Sequence, residues 1–401
     1  MLIAKNITII GLGLIGGSLA KALKKHRVAG HITAYSKTSK SLDKAIKMGI
    51  IDIKSTNLQE SVKDAEIVII CSPLGTYSKI IKEIASAMPK GCILTDAGSV
   101  KSCVAKLGVK LLSNEQLPYF IPAHPIAGSE KSGVEHSFAE LYSDKKLIIT
   151  PEGIVKTAVK NKIKKMWQNI GSKVEELSAK KHDEIYAQVS HAIHLLAFCY
   201  IRVVYKEKSE FKEILKSENI NLLKFVRVAG SDSKMWNDIF LYNSKAIFNY
   251  LKSFKKELLN LQKGLKQSPE KINEEIIAAR KIRMRLQANF PKTSSYDDMS
   301  PEVMTIKRGL PALIACALLK TTEENIKYAG TAFAGMTELV FHLPADLLET
   351  TFKNKDFLDK YTKSLFDEID LLEKVIASKK QTNIKKYIEG SNKIYCKIVG
   401  K

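Results

Sequence analysis

The sequence predicts an α/β domain built on a parallel sheet, then an all-α domain, then a diverged second copy of that helical domain. Three observations carry this. From Asn6 to Pro151 short apolar runs alternate with helix-period patterns, the signature of βαβ units. After Pro151 the strand-like runs nearly vanish. Late in the chain, residues recur at a constant offset. The 401-residue length suits two or three domains at roughly 150 residues each.

Taken in order, Ile7–Ile10 reads as a strand, Gly16–Lys25 as a helix, His31–Tyr35 as a strand and Ser41–Met48 as a helix. Strands follow at Ile67–Cys71, Cys92–Thr95, Tyr119–Ile121 and Lys146–Ile149, with helices at Lys79–Met88 and Ser99–Leu107 between them. Val155–Asn169 is helical and Val174–Leu177 is a last strand. Lys180–Tyr205 is a long helix that opens the all-α part. The expected divisions are 1–175 for the α/β domain, 176–285 for the helical domain, 286–304 for a linker rich in Pro, Ser and Thr, and 305–401 for the second copy. That copy rests on two alignments. Gly309–Ala315 resembles His191–Ala197 at an offset of 118, and Asn243, Tyr250, Ser253, Glu257 and Leu261 match Asn354, Tyr361, Ser364, Glu368 and Leu372 at 111.

Composition excludes several classes. Apolar residues make up 45% and charged residues 26%, the balance of a globular chain. The apolar stretch around His194–Tyr205 is interrupted by Arg202 and is shorter than the ~18–20 residues of a membrane span. Six scattered cysteines without a CxxC pair suit free thiols in a cytoplasm. The net charge of +22 invites a nucleic-acid reading, but only seven of the 64 basic residues are arginine, the residue that reads bases and phosphates best. A general lysine bias explains the charge better, and neither a nucleic acid nor a membrane is an expected partner.

The chemistry begins at Gly11, Leu12, Gly13, Leu14, Ile15 and Gly16. This GxGxxG string ends the first strand and opens a helix, where glycines let the backbone approach a pyrophosphate held at the helix N-terminus. The first domain therefore reads as a Rossmann dinucleotide-binding domain. At the end of the second strand, Ser36 and Lys37 stand where an acidic residue would grip the ribose of NAD. Hydroxyls and an ammonium suit the 2′-phosphate of NADP, so NADP is favoured over NAD. Ser72, Pro73 and Asp96 end the next two inner strands and face the cofactor side. Ser99 is either the N-cap of the following helix or a hydroxyl turned toward the nicotinamide. His124 follows the next strand, and its near-neutral pKa suits a base for oxidising an alcohol. His182, His191 and His194 could also be read as metal ligands, but no carboxylate or cysteine cluster completes a site, so no metal is expected. Trp236 reads as a core or substrate-wall aromatic.

Together, Gly11–Gly16, Asp96…Ser99-Val-Lys101, His124-Pro-Ile-Ala-Gly-Ser-Glu-Lys-Ser-Gly133, His182-Asp…His191…His194 and Arg227…Met235-Trp236…Asp238 resemble the prephenate dehydrogenase family, with its arogenate and cyclohexadienyl relatives. The likeness covers about residues 5–285. It implies NAD(P)-dependent oxidative decarboxylation of prephenate to 4-hydroxyphenylpyruvate, or of arogenate to tyrosine. By the same resemblance His124 is the base, Ser99 orients both reactants, and Arg227 grips a substrate carboxylate. Ser129, Glu130 and His194 lie near the substrate side chain, with His191 in support. A homodimer through the helical domain is implied; the internal repeat offers an intramolecular pseudo-dimer in its place, with residues 305–401 as a non-catalytic partner packed on the first copy. Lys224 departs from the acidic residue the family often carries three before the arginine. In the second copy Glu338, Gly309, Ala312 and Leu347 replace Arg227, His191, His194 and Trp236. Other readings are a dehydrogenase of the β-hydroxyacid class and an inactive cofactor-binding regulator.

Overall fold

The computed structural model describes residues 2–128, 131–206, 220–267, 269–286, 308–341 and 355–399. The expected linker at 286–304 lies outside them save for Leu286, as do Ser129, Glu130, Leu347 and Asn354. The chain divides into two compact units, Met1–Asp183 and Glu184–Lys401.

The first unit is built on six parallel strands, β1 (Ala4–Ile10), β2 (Ala29–Tyr35), β3 (Ile53–Ser55), β4 (Ile67–Ile70), β5 (Ile93–Asp96) and β6 (Phe120–Ile121), in the order β3-β2-β1-β4-β5-β6. The order reverses between β1 and β4, and the carboxyl ends of those strands open the crevice where doubly wound sheets bind ligands. Every residue of β4 and β5 is buried, as central parallel strands covered on both faces require. Helices α1 (Leu14–Lys25), α2 (Ser39–Lys47), α3 (Tyr77–Ile84) and α4 (Lys101–Leu111) connect them.

Sequence patterning predicts one sheet here, and the structure has two. β7 (Ala123–Pro125), β8 (Lys146–Ile149) and β9 (Lys173–Glu176) form a separate three-stranded sheet, with β7 antiparallel to β8 and β8 parallel to β9. Pro122 marks the break. It has no N–H for the ladder, and its carbonyl instead accepts from the Thr150 backbone N–H at 2.8 Å. This turns His124 onto its own strand, opposite Ile148. α5 (Thr157–Asn169) packs Val159, Ile163, Met166 and Trp167 into the core under both sheets. α6 (Ala179–Tyr186) then leads out of the unit.

The second unit is helical throughout its described residues. A π turn, Ala187–His191, joins α6 to α7 (Ala192–Lys206). The continuous helical run Ala179–Lys206 is long and apolar enough to cross a membrane, Arg202 notwithstanding, but 83% of that apolar window is buried within the protein. α8 (Ile220–Val226) passes into a 3₁₀ turn at Arg227–Gly230, followed by α9 (Ser233–Tyr242), α10 (Ser244–Gln267) and α11 (Pro269–Met284). α10 buries Ile247, Tyr250, Leu251, Phe254, Leu258, Leu261 and Leu265, a stripe at helical spacing. Beyond residue 307 come α12 (Leu310–Thr322), α13 (Thr331–Thr337) with a 3₁₀ turn at Glu338–Phe341, α14 (Lys355–Ala377) and α15 (Gln381–Ile398). α10 and α11 pack on α12, α14 and α15 pack on α7, and α8 packs on α13.

Candidate active site

The glycine loop is shaped as a cradle. Gly11 adopts φ +102°, and a Cβ there would stand 2.9 Å from the Ser72 backbone nitrogen, so the loops ending β1 and β4 touch through bare backbone. A Cβ on Gly16 would come within 2.0 Å of the Gly11 carbonyl oxygen. Gly13, by contrast, faces open space. No side chain caps α1 and no acidic residue sits in its first turn, which leaves its first backbone N–H groups for an anion. Leu12 and Leu14 bury their side chains and present only backbone to this space. The residues present thus fit a dinucleotide pyrophosphate. Beside it, Ser72 Oγ shares a hydrogen bond with Thr76 at 2.8 Å, and Pro73 is exposed. At the end of β2, Ser41 donates to Ser36 at 3.1 Å, while Lys37 is exposed and makes no ion pair among the described residues.

Asp96 was expected to face the cofactor, but its carboxylate is spent internally. It accepts from the Gly98 and Ala123 backbone N–H groups at 2.8 and 2.9 Å, and from the Lys101 ammonium. Lys101, wholly buried, also donates to the Ala123 carbonyl at 2.7 Å. A buried ion pair of this kind adds little net stability, but its fixed geometry locks the loop carrying Ser99 to the strand carrying His124. The N-cap alternative for Ser99 fails. α4 starts at Lys101, and its first N–H groups, of Lys101 and Ser102, donate to the two Asp183 oxygens at 2.7 and 2.8 Å. The half-buried Ser99 hydroxyl takes no hydrogen-bond partner among the described residues.

Asp183 also orders His124, through His182. Its Oδ1 accepts from His182 Nδ1 at 2.9 Å, and His182 Nε2 lies 2.9 Å from His124 Nδ1. Burial would raise the Asp183 carboxyl, but the hydrogen bonds from His182, Lys101 and Ser102 outweigh it and hold the group below its ordinary range. Burial pushes His182 down, against the pull of Asp183, so it stays neutral. The tautomers follow from these roles: an ionised Asp183 takes the proton of His182 Nδ1, and the bare His182 Nε2 takes that of His124 Nδ1. His124 is left with an unprotonated Nε2. Nothing in the sequence around His182 and Asp183 signals this role. The contacts join residues 58 and 82 positions apart, beyond the reach of any local pattern.

In the helical unit, His194 stacks on Trp236 with centroids 3.6 Å apart, and His191 meets the same indole edge-on at 6.1 Å. His191 Nδ1 accepts from the Asn243 amide at 2.9 Å. His194 Nδ1 donates to the Ser190 carbonyl at 2.9 Å. Burial pushes the His194 imidazole down to about 3, the Ser190 hydrogen bond opposes this, and the Arg227 charge adds to it. Arg227 itself is exposed and makes no ion pair among the described residues. Among the described residues, no three His, Cys, Asp or Glu side chains gather as a metal site would require.

Known proteins resemble this chain in sequence and in fold. The sequence profile for the prephenate dehydrogenase nucleotide-binding domain matches residues 19–176, and that for the prephenate dehydrogenase dimerization domain matches residues 178–278. The cyclohexadienyl dehydrogenase of Zymomonas mobilis is 32% identical over 292 residues, covering 72% of this chain and 98% of that one. The prephenate dehydrogenase of Lactococcus lactis is 30% identical over 331 residues, covering 80% and 89%. The crystal structure of prephenate dehydrogenase from Aquifex aeolicus, in complex with hydroxyphenyl propionate and NAD⁺, superposes with a TM-score of 0.65 at 33% identity, covering 71% of this chain and 98% of that one. The chain belongs to the prephenate dehydrogenase family, oxidoreductases that use NAD(P)⁺ to oxidise and decarboxylate prephenate or arogenate in tyrosine biosynthesis.

Proposed function

We propose that the chain oxidises and decarboxylates prephenate or arogenate with His124 as base, Ser99 orienting the reacting hydroxyl, and Arg227 gripping a carboxylate of the substrate. The observation that carries this reading is the Asp183–His182–His124 chain, because it orients the His124 imidazole through Nδ1 and answers the charge the ring gains on taking a substrate proton. As His124 takes that proton, His182 and Asp183 stabilise the imidazolium that forms. Loss of the ring carboxylate as carbon dioxide aromatises the product, which drives the reaction once the groups are positioned. Bound NAD(P)⁺ supplies the hydride acceptor. Gly11 through Gly16, with Ser72 and Pro73, would hold it, and Asp96 would act by shaping the Ala97–Ser99 backbone. Ser129, Glu130 and His194 would line the substrate side chain, and His191 would support them. The Ser36 hydroxyl and the Lys37 ammonium favour NADP⁺ over NAD⁺. Six unpaired cysteines support a cytoplasmic setting.

The same reading includes an intramolecular pseudo-dimer. α8 with its 3₁₀ turn, Ile220–Gly230, recurs as α13 with its turn, Thr331–Phe341, at the 111-residue offset of the sequence matches. Packing is reciprocal, α10 on α12 and α14 on α7, as an interface between two like copies requires. This packing supports reading 176–285 and 305–401 as two copies of one helical fold, the second without catalytic side chains, folded together in one compact unit, Glu184–Lys401.

The test is a rate assay on the purified chain with prephenate or arogenate, each with NAD⁺ or NADP⁺, following reduced nicotinamide. Turnover in one pair assigns substrate and cofactor together. Silence in all four, with cofactor still bound, refutes the catalytic reading in favour of an inactive binding protein.

A further inference from the structure

The last helix of the chain reaches the turn that carries Arg227. Asn392, on α15, donates through its amide to two carbonyls of that turn, Ala229 at 2.6 Å and Ser231 at 3.1 Å. One turn away, Ser233 donates to Glu389 at 3.3 Å. Between them, Gly230 lies so close to Tyr395 that a Cβ there would stand 2.7 Å from the ring. Residues 229–233 are thus held from one side by three neighbours on a single helix.

The turn needs such support. Arg227–Gly230 is one turn of 3₁₀ helix, a form with poor hydrogen-bond geometry, and its closing carbonyls have no partner further along the helix. Asn392 supplies both missing donors from a partly buried position. Arg227 has no ion pair among the described residues to aim its long side chain, so its direction is set by the backbone beneath it. That backbone packs on both α7 and α15, and the side-chain hydrogen bonds to its carbonyls come from α15.

We propose that Asn392 is a positioning residue for Arg227, so that the second copy, stripped of its own site, holds the anion-gripping turn of the first. The proposal rests on the reading of Arg227 as the carboxylate grip. Asn392→Ala should raise the KM for the substrate the chain turns over about tenfold, with kcat and the cofactor KM within twofold of the parent. Asn392→Asp, of the same shape but unable to donate, should do the same, and it serves if the alanine variant does not fold. In an Arg227→Ala background, Asn392→Ala should add less than twofold, because the group it positions is gone. A folded Asn392→Ala with unchanged substrate KM overturns the proposal. So does a tenfold loss that persists on the Arg227→Ala background, which marks a purely structural role. Arg227→Ala alone leaving the substrate KM unchanged is a separate result, and it refutes the carboxylate grip itself.

Discussion

His182→Phe is the sharpest perturbation of the proposed base. The ring volume is kept in a site with no exposed surface, so no cavity opens. Asp183 loses one donor but keeps the Lys101 and Ser102 backbone N–H groups, so α4 stays capped. What disappears is the acceptor 2.9 Å from His124 Nδ1. When His124 takes the substrate proton, that hydrogen bond becomes one from a charged donor, worth about 1.5–3 kcal/mol. At about 1.4 kcal/mol per decade, kcat should fall by about 10- to 150-fold. The sign on pH is also fixed. The acceptor stabilises protonated His124, so its loss moves the acid limb of kcat/KM to lower pH. The assay is initial rate against pH at saturating cofactor, with thermal unfolding to confirm that the variant folds. A kcat within threefold of the parent with an unmoved acid limb would refute the relay, as would a loss confined to the cofactor KM.

The remaining predictions concern anion binding, cofactor choice and acid stability. Arg227→Ala should raise the substrate KM by about 10- to 100-fold, the range of a charge-assisted hydrogen bond, with the cofactor KM unchanged in the same rate assay. Lys37→Ala should weaken NADP⁺ about tenfold and leave NAD⁺ alone, read as the ratio of the two KM values; equal effects would make Lys37 a bystander. His194 has a folded pKa of about 3 against 6.5 unfolded, so below pH 6.5 the unfolded chain takes up a proton the folded chain refuses. Its contribution is intact above that pH and is lost on acidification, by about 2 kcal/mol between pH 7 and 5. Urea titrations across that window should show His194→Phe losing less stability than the parent by about that amount, and identical slopes would count against a buried neutral imidazole.

The sheet was legible in the sequence because parallel strands buried on both faces are continuous apolar runs, and Ile67–Ile70 and Ile93–Asp96 fall where such runs lie. β3 escaped because Ile53–Ser55 is short and largely exposed, with no apolar pattern to read. The second sheet escaped for a different reason: strand patterns say which residues are extended, not which sheet they join, and only the missing N–H of Pro122 decides that. At the site, the glycine cradle could be read locally because its chemistry lies in six consecutive residues. The role of Asp183 could not, since it caps a helix 82 residues upstream and orders a histidine beside itself at once. Ser99 shows the same limit. Its position before a helix suggests a cap, and only the distant carboxylate that takes that duty shows that its hydroxyl is left over.

On the proposed repeat, the position equivalent to Arg227 explains why the C-terminal helices need not carry a second site. Glu338 stands there, in a 3₁₀ turn like that of Arg227, but 4% exposed where Arg227 is open. Its negative charge acts on Arg283, 1% exposed, raising a guanidinium that burial pushes down, and Arg283 also donates to the Ala334 carbonyl at 3.1 Å. The C-terminal helices thus bury a carboxylate at this position, answered by the cation of Arg283. Gly309 and Ala312, at the positions of His191 and His194, open an α12 whose residues from Leu310 to Leu319 are all buried, so the polar pocket has become packing surface. Restoring arginine at 338 would set a second cation against Arg283 in a buried place, and no substrate site would return with it. In a symmetric dimer such a change would strike both active sites at once, since each subunit carries the same residues. On the proposed arrangement of two copies in one chain, one half is free to lose its chemistry while the other keeps it. The expected stoichiometry, one substrate bound per chain at saturation by calorimetry, follows from that asymmetry, and two per chain would show that Glu338 closes nothing.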